Sequence, residues 1–256
     1  MRYFLVRKTK GIGTHVKNAN AEEFLVDWSI RYNEDITDDK KKNSELEKLR
    51  LLYKEAYEQT SDSMASTEAF FAKKVLLVEG DSEALILPYF FNNIGFDWVK
   101  EKISIVKCGS KNGIDRFYRL YSELGIPCFV IFDGDKDKSN AKEQIKTNNS
   151  LFDILDEQSI KDFPNSSVMK NYLGFEFDFN FALKDAGFND VYNENDPSKS
   201  PKSLKLFLRI KEQNDINPPI WVFGIRDKLL ALSDKVDSVL KRNEISPDDF
   251  NDDIPF

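Results

Sequence analysis

Two short acidic clusters contain the residues whose type and spacing could carry chemistry. Glu79 and Glu83 lie four positions apart, and Asp133 and Asp135 flank Gly134 in the segment DGD. Carboxylates crowded into one site repel one another unless a cation neutralises them. All-oxygen ligand sets favour Mg²⁺ or Mn²⁺, and one or two such ions suit phosphodiester hydrolysis. The clusters therefore predict a divalent-metal site.

Each acidic cluster directly follows an apolar run that is typical of a strand buried on both faces. Strands are predicted over 73–79 (KKVLLVE), 102–107 (KISIVK) and 127–133 (PCFVIFD). Helices are predicted over 82–91, 114–124, 203–213 and 219–242, with either a helix or a short strand over 175–186. Strands that alternate with helices predict an α/β fold with a parallel sheet. Ligands of such sheets bind beyond the carboxyl ends of the strands.

Taken singly, each cluster has a simpler interpretation. An isolated DxD is usually a solvated turn, and two glutamates four residues apart usually share an exposed helix face. The metal-site interpretation is favoured because both clusters follow strands of one predicted sheet. If the third strand persists through Gly134, Asp133 and Asp135 lie on the same face. Ser110 and Lys111, in the loop GSKNG after the second strand, could bind a flanking phosphate; an ordinary glycine-rich turn is the alternative.

The amino-acid composition excludes several other kinds of metal site and limits the possible partners. The chain has 256 residues, 44 acidic and 37 basic side chains, one histidine and two cysteines. Multi-histidine metal sites, four-thiolate zinc sites and disulfide frameworks are therefore excluded. A net charge of −7 argues against polyanion binding over the whole surface, but permits a metal-bridged contact with phosphate. We expect a cytoplasmic protein, because the sequence contains neither a membrane-spanning run nor a secretory signal.

Three segments of the sequence together resemble the TOPRIM domain of topoisomerases, bacterial primases and OLD-family nucleases. They are VLLVEGDSEALILPYF, IVKCGSKNGIDRFYRL and GIPCFVIFDGDKDK, within residues 73–140. Their sequences are most similar to the OLD (overcoming lysogenization defect) family, to which the nuclease subunit of the Gabija phage-defence system is related. The resemblance implies a Rossmann-like parallel sheet flanked by helices, with helical additions at both ends.

The resemblance also implies a domain organisation. Residues 1–72 would form an N-terminal arm, similar to the tail of an ABC-type ATPase domain plus a helical segment. Residues 73–195 would form the TOPRIM catalytic domain, and residues 196–256 a C-terminal helical region that completes it. No GxxxxGK[ST] motif occurs in the sequence, so we expect no ATP site in this chain.

Site residues are carried over from the resemblance by position. Glu79, Glu83, Asp133 and Asp135 match its metal ligands, and Glu79 and Asp133 would be central to catalysis. Family nucleases also use a later acidic residue, for which Glu176 is the first candidate and Asp178 the second. They further use a lysine near the scissile phosphate, for which Lys202 is preferred to Lys199.

The resulting functional hypothesis is a DNA endonuclease or nickase that uses Mg²⁺ or Mn²⁺, in anti-phage defence or DNA processing. Expected partners are DNA, an ATPase domain or subunit, and a second copy of the chain in a homodimer. One alternative is a non-catalytic subunit for nucleic-acid binding or assembly. Another is a component of a TOPRIM primase or topoisomerase.

Overall fold

The computed structural model describes residues 2–9, 13–20, 68–213 and 215–232, the first two ranges as backbone only. Strand β1 (Arg2–Thr9) pairs in antiparallel register with β2 (Gly13–Asn20). The helical segment expected within the N-terminal arm lies outside the described residues. In the part of the chain that is described, no helix is long and apolar enough to cross a membrane.

A parallel sheet of four strands, in the order β4-β3-β5-β6, forms the centre of the molecule. The strands are β3 (Lys74–Val78), β4 (Ile103–Lys107), β5 (Cys128–Asp133) and β6 (Tyr172–Phe175). All three predicted strands are confirmed within one residue at each end. Neighbouring residues in a strand point to opposite faces of the sheet, and Val75 and Leu76 are both fully buried. Helices therefore cover both faces of the sheet.

Helices lie on both faces of this sheet. They are α1 (Asp81–Asn93), α2 (Lys111–Glu123), α3 (Ala141–Ile154), α4 (Phe179–Asp185), α5 (Ser203–Glu212) and α6 (Ile220–Ala231). Helices α2 and α3 pack against the face that carries Val75 and Leu77. Helices α1, α4, α5 and α6 pack against the face that carries Leu76 and Val78. The molecule is thus the predicted α/β fold, a parallel sheet between two layers of helices.

Two segments differ from the sequence-based expectation. The ambiguous stretch 175–186 divides into the end of β6 and the short helix α4. The helix expected over 219–242 ends at Ala231, and Leu232 has extended backbone angles. Apolar positions continue the helical pattern past Ala231, but a periodic pattern does not itself mark where a helix stops. The rest of that predicted helix lies beyond the described residues.

Candidate metal centre at the carboxyl edge of the sheet

The order of the strands creates a crevice between β3 and β5. The chain passes from β3 to β4 on one side, and then returns across β3 to β5 on the other side. At such a topological switch point the connections leave in opposite directions, which opens a ligand-binding crevice at the carboxyl ends of the strands. Glu79 follows β3 at this point, and Asp133 ends β5. The Asp133 N–H donates to Glu79 Oε2 at 3.2 Å, so the two acidic clusters meet.

The turn after β3 brings a second glutamate back to the same place. Gly80 is the N-cap of α1, and Glu83 lies in the first turn of that helix with only 3% of its surface exposed. A Cβ atom on Gly80 would stand 2.9 Å from Glu83 Oε2, so the side chain folds closely over the glycine. The backbone N–H groups of Gly80 and Glu83 help to hold the carboxylate, as is usual at a helix N-terminus.

The DGD turn after β5 is held by close backbone contacts. A Cβ atom on Gly134 would lie 2.6 Å from the carbonyl oxygens of Phe175 and Glu176, which explains the glycine. Asp135 has a left-handed backbone (φ 58°), and its N–H donates to the carbonyl of Phe177 at 2.8 Å. The strand therefore does not persist through Gly134. The condition for placing Asp133 and Asp135 on one face is therefore not met, because the chain turns between them.

Asp135 is buried and bridged by two lysines. Lys111 Nζ lies 2.8 Å from Asp135 Oδ2, and Lys138 Nζ lies 2.7 Å from Oδ1. Lys111, predicted from the sequence as a phosphate contact, is itself buried and also donates to Gln144 Oε1 at 2.9 Å. Its ammonium points into the protein because a buried carboxylate requires a nearby positive charge.

Burial and mutual repulsion perturb the carboxyl groups around the crevice. Burial is the largest cause of the raised pKa of Asp133, and the nearby Glu83, Glu79, Asp178 and Asp135 raise it further. Burial also raises the pKa of Glu79, which Lys111 partly offsets. For Glu83, burial and the charge of Glu79 raise the pKa to about 7. A cation at this position would offset both the burial of these charges and their mutual repulsion.

The donor set fits a hard divalent cation. Asp133 Oδ1 is buried and has no hydrogen-bond partner, which is costly for a carboxylate oxygen in a protein interior. Carboxylate oxygens are also the ligands that Mg²⁺ and Mn²⁺ prefer. Within the described ranges, however, no three acidic, cysteine or histidine side chains already stand as a closed set of ligands. Asp135 is held by its lysines, and Asp178 accepts the N–H of Phe181 at 2.7 Å.

The two candidates for the later acidic residue, Glu176 and Asp178, have different surroundings. Glu176 forms an ion pair with Lys136 at 2.5 Å, and its side chain is 37% exposed. Asp178 is close enough to raise the pKa of both Asp133 and Glu83. The preference for Glu176 stays a prediction, because its neighbouring sequence, LGFEFDF, does not define which carboxylate faces the crevice.

The two candidate lysines are placed differently. Lys202 is the exposed N-cap residue of α5, and the N–H of the next residue, Ser203, donates to Ser82 Oγ at 2.9 Å. That bond brings Lys202 beside the turn that carries Glu79 and Glu83. Lys199 instead pairs with Asp196 at 2.9 Å. The placement favours Lys202.

Ser110, the other predicted phosphate contact, caps α2. Its hydroxyl accepts the N–H of Gly113 at 3.1 Å, although the residue itself is exposed. A capping role satisfies the first N–H groups of the helix and needs no ligand. The phosphate-binding role of Ser110 and Lys111 stays a prediction.

Sequence reasoning missed the residues that support the DGD turn from behind. Asn148 of α3 is fully buried, and its amide donates to the carbonyls of Gly134 and Asp162, both at 2.9 Å. Gln144 lies one helical turn before it and contacts Lys111. Both residues belong to a polar segment without a motif. The supporting residue Lys138 lies only three positions after Asp135, so its closeness to that carboxylate follows from the sequence spacing.

Comparisons with known proteins match the segment that contains Glu79, Glu83, Asp133 and Asp135. Residues 70–135 match a family model described as "Overcoming lysogenization defect protein-like, TOPRIM domain". Over 71 residues, 28% of this chain, the sequence is 38% identical to a protein named OLD nuclease from Thermus scotoductus. That match spans 13% of the relative's length.

A comparison with solved structures matched C-terminal regions of two OLD proteins. For the Xanthomonas campestris pv. campestris protein, the TM-score is 0.40 with 15% identity over 70% of this chain and all of that chain. For the Burkholderia pseudomallei protein, the TM-score is 0.36 with 14% identity over 62% and 98%. On the sequence match, residues 70–135 of this chain are similar to a TOPRIM domain of the OLD-like type.

Proposed function

We propose that this chain is a DNA endonuclease or nickase that requires Mg²⁺ or Mn²⁺, with one or two ions at the carboxyl edge of its sheet. One observation carries the proposal: the ends of β3 and β5 bring Glu79, Glu83 and Asp133 together at the switch point. Asp133 Oδ1 is buried there without a hydrogen-bond donor. The sequence similarity to an OLD nuclease supports the reaction class.

The carboxylates of Glu79, Glu83 and Asp133 would hold the cation, with Asp135 and Asp178 beside them. The chemistry that a divalent cation supplies is activation of water at neutral pH and neutralisation of charge on the phosphate. The protein itself orients the carboxylates that would hold the cation. The helix N-terminus at Gly80 orients Glu83, and the contacts of Gly134 with residues 175–176 fix the direction of the DGD turn.

Lys202 would assist by neutralising charge that develops on the scissile phosphate. The Ser203–Ser82 hydrogen bond holds Lys202 beside the crevice, and its exposed side chain is accessible to a DNA strand. Among the described residues it forms no ion pair that would have to break first. We expect Lys202→Ala to lower cleavage about 100-fold while the affinity for Mn²⁺ stays within about twofold of wild type.

A plasmid-nicking assay with Mg²⁺ or Mn²⁺ tests the proposal directly. The proteins compared are wild type, Asp133→Asn, and Asp153→Asn as a control that changes an exposed carboxylate on α3 by the same chemistry. We expect cleavage by wild type and by the control, and none by Asp133→Asn. Equal cleavage by all three would place the activity elsewhere and overturn the assignment.

The partners follow as further proposals. DNA is the substrate, an ATPase domain or subunit works together with the nuclease, and a homodimer would position two such centres for cutting both strands. The role in anti-phage defence belongs to the same proposal. If wild type binds Mn²⁺ but does not cleave alone, adding an ATPase subunit distinguishes a dependent nuclease from a non-catalytic assembly subunit.

A further inference from the structure

Asp135 receives a positive charge on each of its two oxygens, from two lysines in different surroundings. Lys111 contacts Oδ2 and Lys138 contacts Oδ1. The side chain of Lys111 is 4% exposed, whereas that of Lys138 is 56% exposed. One carboxylate therefore has one fixed and one accessible counter-charge.

The fixed position of Lys111 comes from the two helices that pack beside it. Lys111 is the first residue of α2, and Gln144 of α3 accepts a second hydrogen bond from its ammonium. One turn further along α3, Asn148 donates to the Gly134 carbonyl, so the same helix supports the backbone next to Asp135. Lys111 cannot leave Asp135 without breaking its contact with α3 or burying an unpaired charge.

Lys138 has no such constraint. It reaches Asp135 from three residues further along the chain, and most of its side chain is in water. Asp135 is buried, but the ammonium of Lys138 lies in water, which can hydrate that ammonium as soon as it leaves the carboxylate. A cation that binds Asp135 Oδ1 can therefore displace Lys138 at a lower cost than it can displace the buried Lys111.

We propose that the two lysines act in opposite directions on divalent-cation binding. Lys111 is a positioning residue that holds Asp135 in place, and Lys138 is an exchangeable cation that competes for the same carboxylate. The inference rests on the proposed function in one respect, namely that Asp135 belongs to the metal centre.

Calorimetric titration of the full chain with Mn²⁺ tests the opposite signs. Lys138→Met should bind Mn²⁺ about 2- to 5-fold more tightly than wild type, because a competing ion pair is lost. Lys138→Arg keeps the charge and should return the affinity close to wild type. Lys111→Met should bind at least about 10-fold more weakly, the usual effect of removing a group that orients a metal ligand.

A matched control separates competition from a general change in charge. Lys136→Met removes one positive charge two residues from Lys138, but Lys136 contacts Glu176 rather than Asp135. It should change the affinity less than Lys138→Met does. Equal tightening by both variants, or a change in the same direction for Lys111→Met and Lys138→Met, overturns the inference.

Two further variants keep the test decisive. If Lys111→Met does not fold, Gln144→Ala replaces it, because it removes the second contact of Lys111 and should also weaken Mn²⁺ binding. Unchanged binding by that variant would count against the positioning role. Asp133→Asn should lose Mn²⁺ binding if the centre is correctly placed. If wild type itself does not bind Mn²⁺, the proposed function fails together with this inference. If wild type binds Mn²⁺ and Asp133→Asn does not, the metal centre is correctly placed, and the lysine variants then test this inference separately.

Discussion

At the scale of single residues, the buried carboxyl group of Glu83 makes the stability of the fold depend on pH. Its pKa of about 7 is above the unfolded value of about 4.3, so the folded state binds the proton more tightly. The resulting stabilisation is complete below about pH 4 and is lost as pH rises through 7. With a chelator present, the stability of Glu83→Gln relative to wild type, measured by urea unfolding, should be greater at pH 8 than at pH 5 by about 2–3 kcal/mol.

The control for this prediction is Glu101→Gln, which changes an exposed carboxylate in the same way. It should follow the wild-type stability at both pH values. A wild-type pH dependence that persists unchanged in Glu83→Gln would show that another group is responsible.

Asn148 is the residue whose loss should most directly loosen the DGD turn. Its amide is fully buried and donates to the carbonyls of Gly134 and Asp162, two backbone groups with strong hydrogen-bonding needs. Asn148→Leu keeps the volume but leaves both carbonyls without this donor. Urea unfolding should show a loss of about 2–4 kcal/mol. Asn92→Ala, at an exposed position of α1, should stay within about 0.5 kcal/mol of wild type.

At the scale of elements, the sequence contains enough information for the strands that form the centre of the sheet. Segments such as KVLLV and CFVIFD are continuous apolar runs because helices cover both sides. Strand β6 is different, since YLGF has only four residues and one of them is glycine. Its position is set by pairing with β5 and by the close approach of Pro164 to Gly174, neither of which a local pattern can show.

The candidate site also combines features that a local sequence pattern can predict with features that depend on tertiary contacts. Glu79 and Asp133 could be placed together because each follows a strand, and parallel strands bring their ends to one edge. The burial of Lys111 could not be predicted, because it depends on Asp135 turning into the protein and on Gln144 of α3. The choice between Glu176 and Asp178 likewise depends on where β6 ends, which the alternating phenylalanines conceal.

Gly134 joins β5 to the candidate metal centre and should tolerate no side chain. An added Cβ atom would meet backbone carbonyl oxygens at 2.6 Å, and backbone cannot move aside as a flexible side chain can. Gly134→Ala should therefore cost about 3 kcal/mol or more in urea unfolding. Gly187→Ala is the matched control, because its φ of +96° is strained for alanine but the space around it is open. A cost of about 1–2 kcal/mol is expected there, and equal costs would contradict the steric explanation.

At the scale of the whole molecule, the segment that matches the TOPRIM model is only part of one folded unit. The face of the sheet that carries Leu76 and Val78 is covered by α1 together with the helices from the C-terminal part of the chain. Lys74 of β3 donates to the carbonyls of Leu229 and Leu230 at the end of α6, 2.7 and 2.8 Å away. Helix α6 is thus tied to β3, so the described elements on either side of the boundary predicted at residues 195–196 share a hydrophobic core.

A chain that ends at residue 195 should consequently fail to fold cooperatively. It lacks the side chains of α5 and α6 that are at most 1% exposed in the sheet's cover, namely Leu206, Ile210, Val222, Ile225 and Leu229. Their burial contributes about 10 kcal/mol, which is comparable to the whole stability of a typical domain. Urea unfolding followed by circular dichroism should show a broad, shallow transition for this chain and a sharp one for a chain that ends at residue 232. A sharp transition in both would mean that residues 196–232 form a separate addition to a self-sufficient domain.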